Sequence, residues 1–297
     1  MIELKSVTKR FGDFAALDDV SIRVPRGAVF GLIGPNGAGK TTAIRCITGM
    51  LKPEAGQVHI GGEPVWDEPG VKSRFFCIPD EPWCFAGAST RDMMEFYRRI
   101  YPGFDEKRYE ALWNVFSLNE AQPIRRLSRG RKKQSAFWLA LSARPEVLIL
   151  DEPVDGLDPL MRRQVWKLIL SEVADREMTV LISSHNLREL EDVCDHVAIL
   201  QKGKVLLQSP VAELQENTSK FVLALPEGAT LPQGLDILSQ SRTGKLITLI
   251  LRGREEELRA RLREAEPQFL DAQPLTLEEI FIYELGGEDH GVQDILL

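Results

Sequence analysis

The sequence predicts an α/β protein in which strands and helices alternate around a parallel sheet, followed by a smaller α+β region. A short apolar run at 28–33 leads through a glycine-rich loop into a helical stretch at 40–50. Two further apolar runs, at 147–150 and 180–183, are separated by a segment with helical periodicity. Short apolar strands that alternate with helices are typical of a parallel sheet covered by helices.

The N-terminal part has a different pattern. Residues 4–24 alternate between apolar and polar types around a turn at 11–13, which predicts two edge strands. After the helix at 40–50, Lys52-Pro53 provides a stop signal, and residues 56–60 resume as a strand. These segments predict strands in addition to those of the parallel sheet.

The middle of the chain is predicted to be helical. Residues from about 89 to 141 are amphipathic at helical spacing, which predicts a helical subdomain over about 85–142. Residues 197–208, folded about Lys202-Gly203, are expected to form a hairpin.

Composition shifts at Ser209-Pro210, and strand patterns reappear at 221–225 and 246–251, followed by a charged helix at 255–264. We therefore predict two domains. The first covers 1–217 and the smaller second covers 218–297.

Composition excludes several classes of protein. With 43% hydrophobic and 27% charged residues, the chain fits neither the disordered nor the fibrous class. A net charge of −7 gives no reason to expect nucleic acid as a partner. The four cysteines form no CxxC pair, which favours reduced thiols and a cytoplasmic location. The chain starts without a leader pattern, and its apolar runs are far below the ~18 residues of a membrane helix, so we expect no bilayer crossing.

A phosphate-binding loop is predicted just before Lys40. The pattern G-x-x-x-x-G-K-[ST] is complete and lies between a strand and a helix. Its glycines let backbone N–H groups converge on phosphates, and the following helix directs its positive end to the same place. Lys40 offers a charge for the β- and γ-phosphates, and Thr41 offers a hydroxyl for Mg²⁺. The predicted loop residues are Gly34, Pro35, Asn36, Gly37, Ala38, Gly39, Lys40, Thr41 and Thr42.

Two carboxylates follow the apolar strand at 147–150. Asp151 and Glu152 lie where a strand of an open α/β sheet delivers side chains to a ligand. Asp151 is suited to hold Mg²⁺, and Glu152 to orient and polarise an attacking water. An acidic turn after a buried strand is the alternative interpretation, and the phosphate loop argues against it.

A more specific pattern is Leu127-Ser128-Arg129-Gly130-Arg131, shortly before that strand. Here the chain resembles the ATP-binding-cassette family, whose usual sequence at this place is Leu-Ser-Gly-Gly-Gln. The resemblance covers about residues 2–210, with motif order and spacing in agreement. Asp155-Gly156-Leu157-Asp158 is similar to the loop that the family places across its dimer interface, and Ser183-Ser184-His185 to its switch histidine. Phe11 occupies the place of the aromatic that stacks on adenine.

This resemblance implies the fold and the activity. The implied fold is a P-loop NTPase cassette with a RecA-like core, an antiparallel β subdomain and an α-helical signature subdomain, plus a small C-terminal α+β appendage. The implied activity is hydrolysis of ATP with Mg²⁺, with Glu152, His185 and Lys40 as catalytic residues. Structural packing is the alternative role for His185, and core packing the alternative for Phe11.

The resemblance also implies a second cassette as partner. Ser128 is expected to cap the helix that runs toward Leu141, and a capped helix start is an anion-binding end. In the family this end faces the γ-phosphate held by another subunit, so that two ATP molecules lie between two protomers. Ser128, Gly130 and Asp158 are therefore expected to contact the partner's nucleotide, in a homodimer or a heterodimer.

Three positions depart from the family pattern. Asp80 stands where glutamine is usual in the loop that links nucleotide to the membrane partner, and we expect it to serve Mg²⁺ or water. Arg129 and Arg131 replace the usual glycine and glutamine of the signature. The strength and rate of dimer closure do not follow from the resemblance at these positions. The basic cluster is interpreted as a nucleotide-proximal or solvated face rather than a nucleic-acid surface: Arg125, Arg126, Arg129, Arg131, Lys132 and Lys133.

The other expected partner is a membrane permease on a separate chain, which would hold the protein at the inner face of the cell membrane. Trp83 and Phe85 lie in the stretch that lines the family's groove for that partner, and inward packing is the alternative. Residues 78–105 resemble the branch that exports drugs and peptide antibiotics, and 275–281 resemble a tail element of exporter cassettes, with dimer support, regulation or packing as possible roles. The rival functions are a soluble cassette ATPase outside transport and a regulatory cassette with weak turnover.

Overall fold

The computed structural model describes residues 1–226 and 228–285, which fall into two compact units. The first comprises Met1–His185 and Val193–Gln208, and the second comprises Asn186–Asp192 with the chain from Ser209 onward. The division at 208/209 lies nine residues before the predicted boundary at 217/218, and the domain assignment itself stays a prediction. Within the described residues, no helix has both the length and the apolar character that crossing a bilayer requires.

The first unit contains a six-stranded sheet in the order β10-β9-β3-β8-β7-β6. Its strands β3, β6, β7, β8 and β9 pair in parallel, as predicted from the alternation of strands and helices. Parallel strands buried on both faces read as continuous apolar runs, which is the pattern at 147–150. The strands are β3 (Val29–Ile33), β6 (Phe75–Ile78), β7 (Val147–Asp151), β8 (Thr179–Ser184), β9 (His196–Gln201) and β10 (Lys204–Pro210).

An antiparallel sheet in the order β2-β1-β4-β5 contains the N-terminal strands. The predicted turn at 11–13 joins the first two, with Phe11 paired to Phe14. Its alternating apolar residues enter the main core of the unit, together with those of β3 and α1. The strands are β1 (Ile2–Phe11), β2 (Phe14–Val24), β4 (Ala55–Ile60) and β5 (Glu63–Pro64).

Helices complete the first unit. Three of them, between residues 90 and 143, form the predicted helical subdomain. In it, the Trp138 indole stacks on Tyr109 with ring centroids 4.5 Å apart and donates to the Tyr109 carbonyl at 2.8 Å. The helix after the phosphate loop ends at Ile47, three residues before the predicted end. The helices are α1 (Lys40–Ile47), α2 (Pro69–Lys72), α3 (Thr90–Ile100), α4 (Glu106–Phe116), a 3₁₀ turn (Ile124–Arg126), α5 (Arg129–Ala143) and α6 (Pro159–Arg176).

The second unit is an α+β arrangement around a sheet in the order β12-β13-β11-β14. Its small core is formed by alternate residues of β11 and β13 with two leucines of α9, Leu258 and Leu262. The sequence predicts β11, β13 and α9 but not the two outer strands, β12 and β14, in which no residue is buried. The elements are α7 (Arg188–Glu191), α8 (Val211–Glu216), β11 (Thr218–Ala224), β12 (Ile237–Thr243), β13 (Leu246–Arg252), α9 (Glu255–Arg263), β14 (Phe269–Gln273) and α10 (Leu277–Leu285).

Candidate functional site

The predicted phosphate loop connects β3 to α1 through backbone that only glycine allows at two places. A Cβ at Gly34 would lie 2.1 Å from the Leu200 carbonyl oxygen, and one at Gly39 would lie 2.5 Å from the Ala16 carbonyl oxygen. Gly39 also has a φ of 110°, in the left-handed region that side chains disfavour. No side chain caps the start of α1, so its N–H groups remain directed at the loop.

Lys40, the first residue of α1, points into this loop and is buried. Its Nζ donates to the carbonyl oxygens of Gly34 at 2.6 Å and Pro35 at 3.2 Å, and lies 3.5 Å from Glu152 Oε1. Burial lowers the pKa of the Lys40 ammonium, and the negative charge of Glu152 opposes that shift. The loop therefore holds a buried cation close to the end of β7.

The carboxylate of Asp151 lies between two hydroxyl groups. Thr41 Oγ1 donates to Asp151 Oδ2 at 3.0 Å, and Ser183 Oγ donates to Asp151 Oδ1. Asp151 and Ser183 are register partners at the ends of β7 and β8, which places them side by side at the carboxyl edge of the sheet. From its sequence context Ser183 is predicted only as part of the histidine motif, and its contact with Asp151 is not predicted.

Glu152 and His185 face each other one residue beyond those strand ends. Glu152 Oε2 lies 2.9 Å from His185 Nδ1, and the imidazole is partly exposed. Glu152 has a φ of 46°, a left-handed conformation that is strained for a residue with a side chain. Strain of this kind is common at functional sites because the surrounding contacts must enforce it.

The signature segment starts α5. Ser128 Oγ accepts from the backbone N–H of Arg131 at 3.4 Å, which confirms the predicted N-cap. A Cβ at Gly130 would lie 2.3 Å from the Gly156 carbonyl oxygen, so glycine is required there by close backbone contact. Asp158 caps α6, with its Oδ1 accepting from the N–H groups of Leu160 and Met161 at 3.1 and 3.0 Å.

Asp80, in the loop after β6, is bound to the signature helix. Its Oδ1 lies 2.7 Å from Arg129 Nη2 and 3.2 Å from Lys133 Nζ. Partial burial favours the protonated acid, but the hydrogen bonds and charges of the two cations outweigh burial and lower the pKa of Asp80. Two departures from the family pattern, Asp80 and Arg129, thus pair with each other.

The structure brings together the predicted residues Lys40, Thr41, Asp151, Glu152 and His185 in one constellation. The contacts of Ser128, Gly130 and Asp158 lie around the starts of α5 and α6 instead. Phe11 is half exposed at the end of β1, with the Lys9 ammonium 5.6 Å from its ring centroid.

Lys133 is not among the predicted site residues, and its full burial contradicts the solvated alternative of the two interpretations given to the basic cluster. Its partner Asp80 is 53 positions away in the sequence. A signal was present in the run after Lys133, where α5 is buried almost continuously and a charged residue requires a partner.

Aromatic residues gather beside the Asp80 loop. Trp83 and Phe85 are 61% and 43% exposed and pack edge to face at 4.7 Å. Phe85 packs in the same way on Phe96 of α3 at 4.8 Å. Neighbouring exposed aromatic residues are more typical of an interaction surface than of a core. This favours the interpretation that Trp83 and Phe85 line a groove for a partner over the alternative of inward packing.

Comparisons with known proteins find a consistent set of relatives. The profile of a family described as "ABC transporter" matches residues 17–155. The chain is 33% identical over 291 residues to the ABC transporter ATP-binding protein YtrB of Bacillus subtilis, covering 97% of this chain and 99% of that protein. It is 32% identical over 225 residues to the bacitracin transport ATP-binding protein BcrA of Bacillus licheniformis, covering 75% and 74%. A solved ATP-binding subunit of an ABC transporter superposes with a TM-score of 0.68 at 28% identity, covering 72% and 92%.

Proposed function

This chain belongs to the ABC transporter family as one of its ATP-binding proteins, and we propose that it hydrolyses ATP to power a separate membrane permease. Membership confirms the resemblance and the cassette fold predicted from the sequence, and identifies the chain as an ATPase of this family. The observation that carries the proposal is the constellation of Lys40, Thr41, Asp151, Glu152 and His185 at the carboxyl edge of the parallel sheet.

Lys40 and the loop residues bind the triphosphate. The backbone N–H groups at the open start of α1 and the Lys40 ammonium supply positive charge around the β- and γ-phosphates. Phe11, exposed at the end of β1, offers a face on which the adenine stacks.

Thr41 and Asp151 are the residues that would hold Mg²⁺. Their oxygen atoms lie 3.0 Å apart, and hydroxyl and carboxylate oxygens are the hard donors that this cation prefers. No cluster of three or more carboxylate, histidine or cysteine ligands exists among the described residues, which suits a cation that completes its shell with phosphate and water. When bound, Mg²⁺ neutralises charge that develops on the phosphates. Asp80 remains a candidate for this site or its water, although its Oδ1 contacts Arg129 and Lys133.

Glu152 orients and polarises the attacking water, and His185 orients Glu152. The 2.9 Å contact between the two side chains fixes the carboxylate, and the partly exposed imidazole is the group proposed to contact the γ-phosphate. This assignment gives the protein the roles that phosphoryl transfer needs: a bound phosphate, a compensating charge and a positioned nucleophile.

A second cassette completes the site. Ser128 and Gly130 form a helix start whose charged neighbour, Arg129, is 59% exposed. An exposed, capped helix start next to a cation is suited to an anion brought by another molecule. We propose that it binds the γ-phosphate held by a partner cassette, and that Asp158 lies at the same interface.

The permease is proposed to dock at Trp83 and Phe85, and through it the protein is held at the cytoplasmic face of the membrane. Export is favoured by the resemblance of residues 78–105 to the exporting branch, and the relative from Bacillus licheniformis, which is named for bacitracin transport, agrees with it. No role for nucleic acid is proposed, because the chain has a net charge of −7.

The proposal is tested by ATP hydrolysis of the wild type against Glu152→Gln. We expect the variant to bind ATP as tightly as the wild type. Its rate of ATP hydrolysis should be lower by at least about 100-fold, as for loss of a general base. In ATP it should also accumulate as a dimer, detected by light scattering. A wild type as inactive as the variant, even with its permease, would favour the regulatory alternative.

A further inference from the structure

Lys133 is a fully buried lysine on α5, two residues after the end of the signature segment. Its ammonium has two oxygen partners, the Asp80 carboxylate at 3.2 Å and the backbone carbonyl of Glu152. Removing an ammonium group from water costs several kcal/mol unless charge and hydrogen bonds compensate. The location of Lys133 therefore requires both partners.

The backbone of Glu152 is held from two sides. Its N–H lies 3.2 Å from both the hydroxyl and the carbonyl oxygen of Ser183 at the end of β8, and its carbonyl accepts from Lys133. Because Glu152 has a φ of 46°, its conformation persists only where neighbouring groups enforce it. Lys133 is the side chain that fixes the carbonyl half of this residue.

Asp80 supplies the charge that Lys133 needs. A neutral glutamine, usual at this place in the resemblance drawn above, would leave the buried ammonium without a counter-ion. Arg129 holds the Asp80 carboxylate from the solvent side at 2.7 Å and lies 3.7 Å from Asp155. The carboxylate thus lies between an exposed guanidinium and a buried ammonium.

We propose that Lys133 is a positioning residue for hydrolysis, which fixes the backbone of Glu152 while Asp80 keeps its charge in place. This inference rests on the proposed role of Glu152 in hydrolysis. Lys133 acts through Glu152 and has no contact with the phosphate loop among its hydrogen-bond partners. Asp80 is then a partner of Lys133, and the loop after β6 is linked to the hydrolytic carboxylate by one side chain.

The first test compares Lys133→Met with Lys132→Met, a matched change at the preceding residue of the same helix. Because a displacement of about 1 Å in a positioned group costs up to about 100-fold in rate, we expect Lys133→Met to lower kcat for ATP about 10-fold or more. KM for ATP and the ATP affinity should change by less than about twofold, since the phosphate loop is untouched. Lys132→Met should keep kcat within about twofold of the wild type.

The second test removes Asp80, the counter-ion of Lys133. As a single change it can be measured even if Lys133→Met does not fold. Asp80→Asn should lower kcat without changing the Mg²⁺ concentration that gives half-maximal rate. Added to Lys133→Met, it should change kcat by less than about a further twofold, because both changes act on one interaction. A raised Mg²⁺ requirement for Asp80→Asn alone would overturn the inference in favour of a metal-binding role.

The outcomes separate this inference from the proposed function. A wild type without ATP hydrolysis contradicts the proposed function itself. Hydrolysis by the wild type with an unchanged kcat in Lys133→Met contradicts only the positioning role. Equal losses of kcat and ATP affinity in a folded Lys133→Met would show a general structural role and would likewise overturn it.

Discussion

Two helices of the first unit start where phosphate is expected, and they start differently. The start of α1 has no side-chain cap, and its cation, Lys40, is buried within the chain's own loop. The start of α5 is capped by Ser128, and its cation, Arg129, is 59% exposed. The cation at the start of α1 is thus enclosed by the chain's own loop, whereas the cation at the start of α5 faces solvent. This difference is what a site divided between two molecules requires.

The largest expected difference between the starts of α1 and α5 is in ATP affinity and hydrolysis after one polar group is removed from each. Lys40→Met should lower both ATP affinity and ATP hydrolysis, the latter by about 100-fold or more, since an aligned cation at the reacting phosphate is lost. Ser128→Ala should leave the ATP affinity of a single copy within about twofold and lower hydrolysis about 10-fold. Equilibrium binding at low protein concentration and steady-state rates measure the two quantities. Equal losses of affinity would show that the two ends are equivalent.

Stability should separate two neighbouring residues within the signature end. Gly130→Ala forces a Cβ to 2.3 Å from the Gly156 carbonyl oxygen, and overpacking of this kind costs about 1–3 kcal/mol. Arg129→Ala removes the solvent-accessible ion pairs with Asp80 and Asp155, and its expected cost is smaller, below about 1 kcal/mol. Chemical unfolding of the full chain measures both. A stable Gly130→Ala variant would mean that the contact relaxes without cost.

A third helix start, that of α6, should respond as an ordinary capped helix. Asp158→Ala leaves the N–H groups of Leu160 and Met161 without their acceptor and should lower the free energy of unfolding by about 1 kcal/mol. Asp158→Asn keeps an acceptor and serves as the control, with an expected loss of a few tenths of a kcal/mol. Thermal unfolding of both variants tests this order, and the reverse order would contradict the capping role.

The smallest effect is expected at α10 in the second unit. Glu279 accepts from the Thr276 N–H at 3.0 Å and pairs with Lys220 at 2.7 Å. Partial burial would raise the pKa of Glu279, but Lys220 and the hydrogen bonds from Thr276 lower it below its usual 4.5. The ionised form therefore contributes stability above about pH 4.5, and this contribution disappears as pH falls through the lowered pKa.

Glu279→Gln keeps the capping acceptor and removes the charge, so it should lower the free energy of unfolding by a few tenths of a kcal/mol at pH 7. Urea unfolding at pH 7 and at pH 3 measures the difference between variant and wild type. A difference that grows toward pH 3 would contradict the sign of the pKa shift.

The constellation around Lys40 was predictable because each of its residues follows a strand or loop that the sequence marks locally. Apolar runs fix β3, β7 and β8, and parallel strands deliver their next residues to one edge. The contact between Asp80 and Lys133 was not predictable in this way, because it joins a loop and a helix through side chains alone. Its prediction needs the burial of Lys133, which depends on tertiary packing.

The second unit shows a different limit of prediction. The apolar alternation of β11 and β13 marks them in the sequence, whereas β12 exposes most of its residues and carries a weak pattern. Edge strands gain their conformation from backbone pairing with a neighbour, as Gln240 does with Leu249. Pairing over distance leaves little trace in local composition, so the outer strands were missed.

The close approach of Gly130 to Gly156 has a mechanical consequence. Because the two backbones touch without any side chain between them, the first turn of α5 and the segment leading from Glu152 to Asp158 have no room to slide past each other. A displacement of the first turn of α5 is therefore expected to displace the segment from Glu152 to Asp158 as well. Binding of another molecule at the start of α5 is therefore expected to shift the backbone that follows Glu152, the carboxylate proposed to act in hydrolysis.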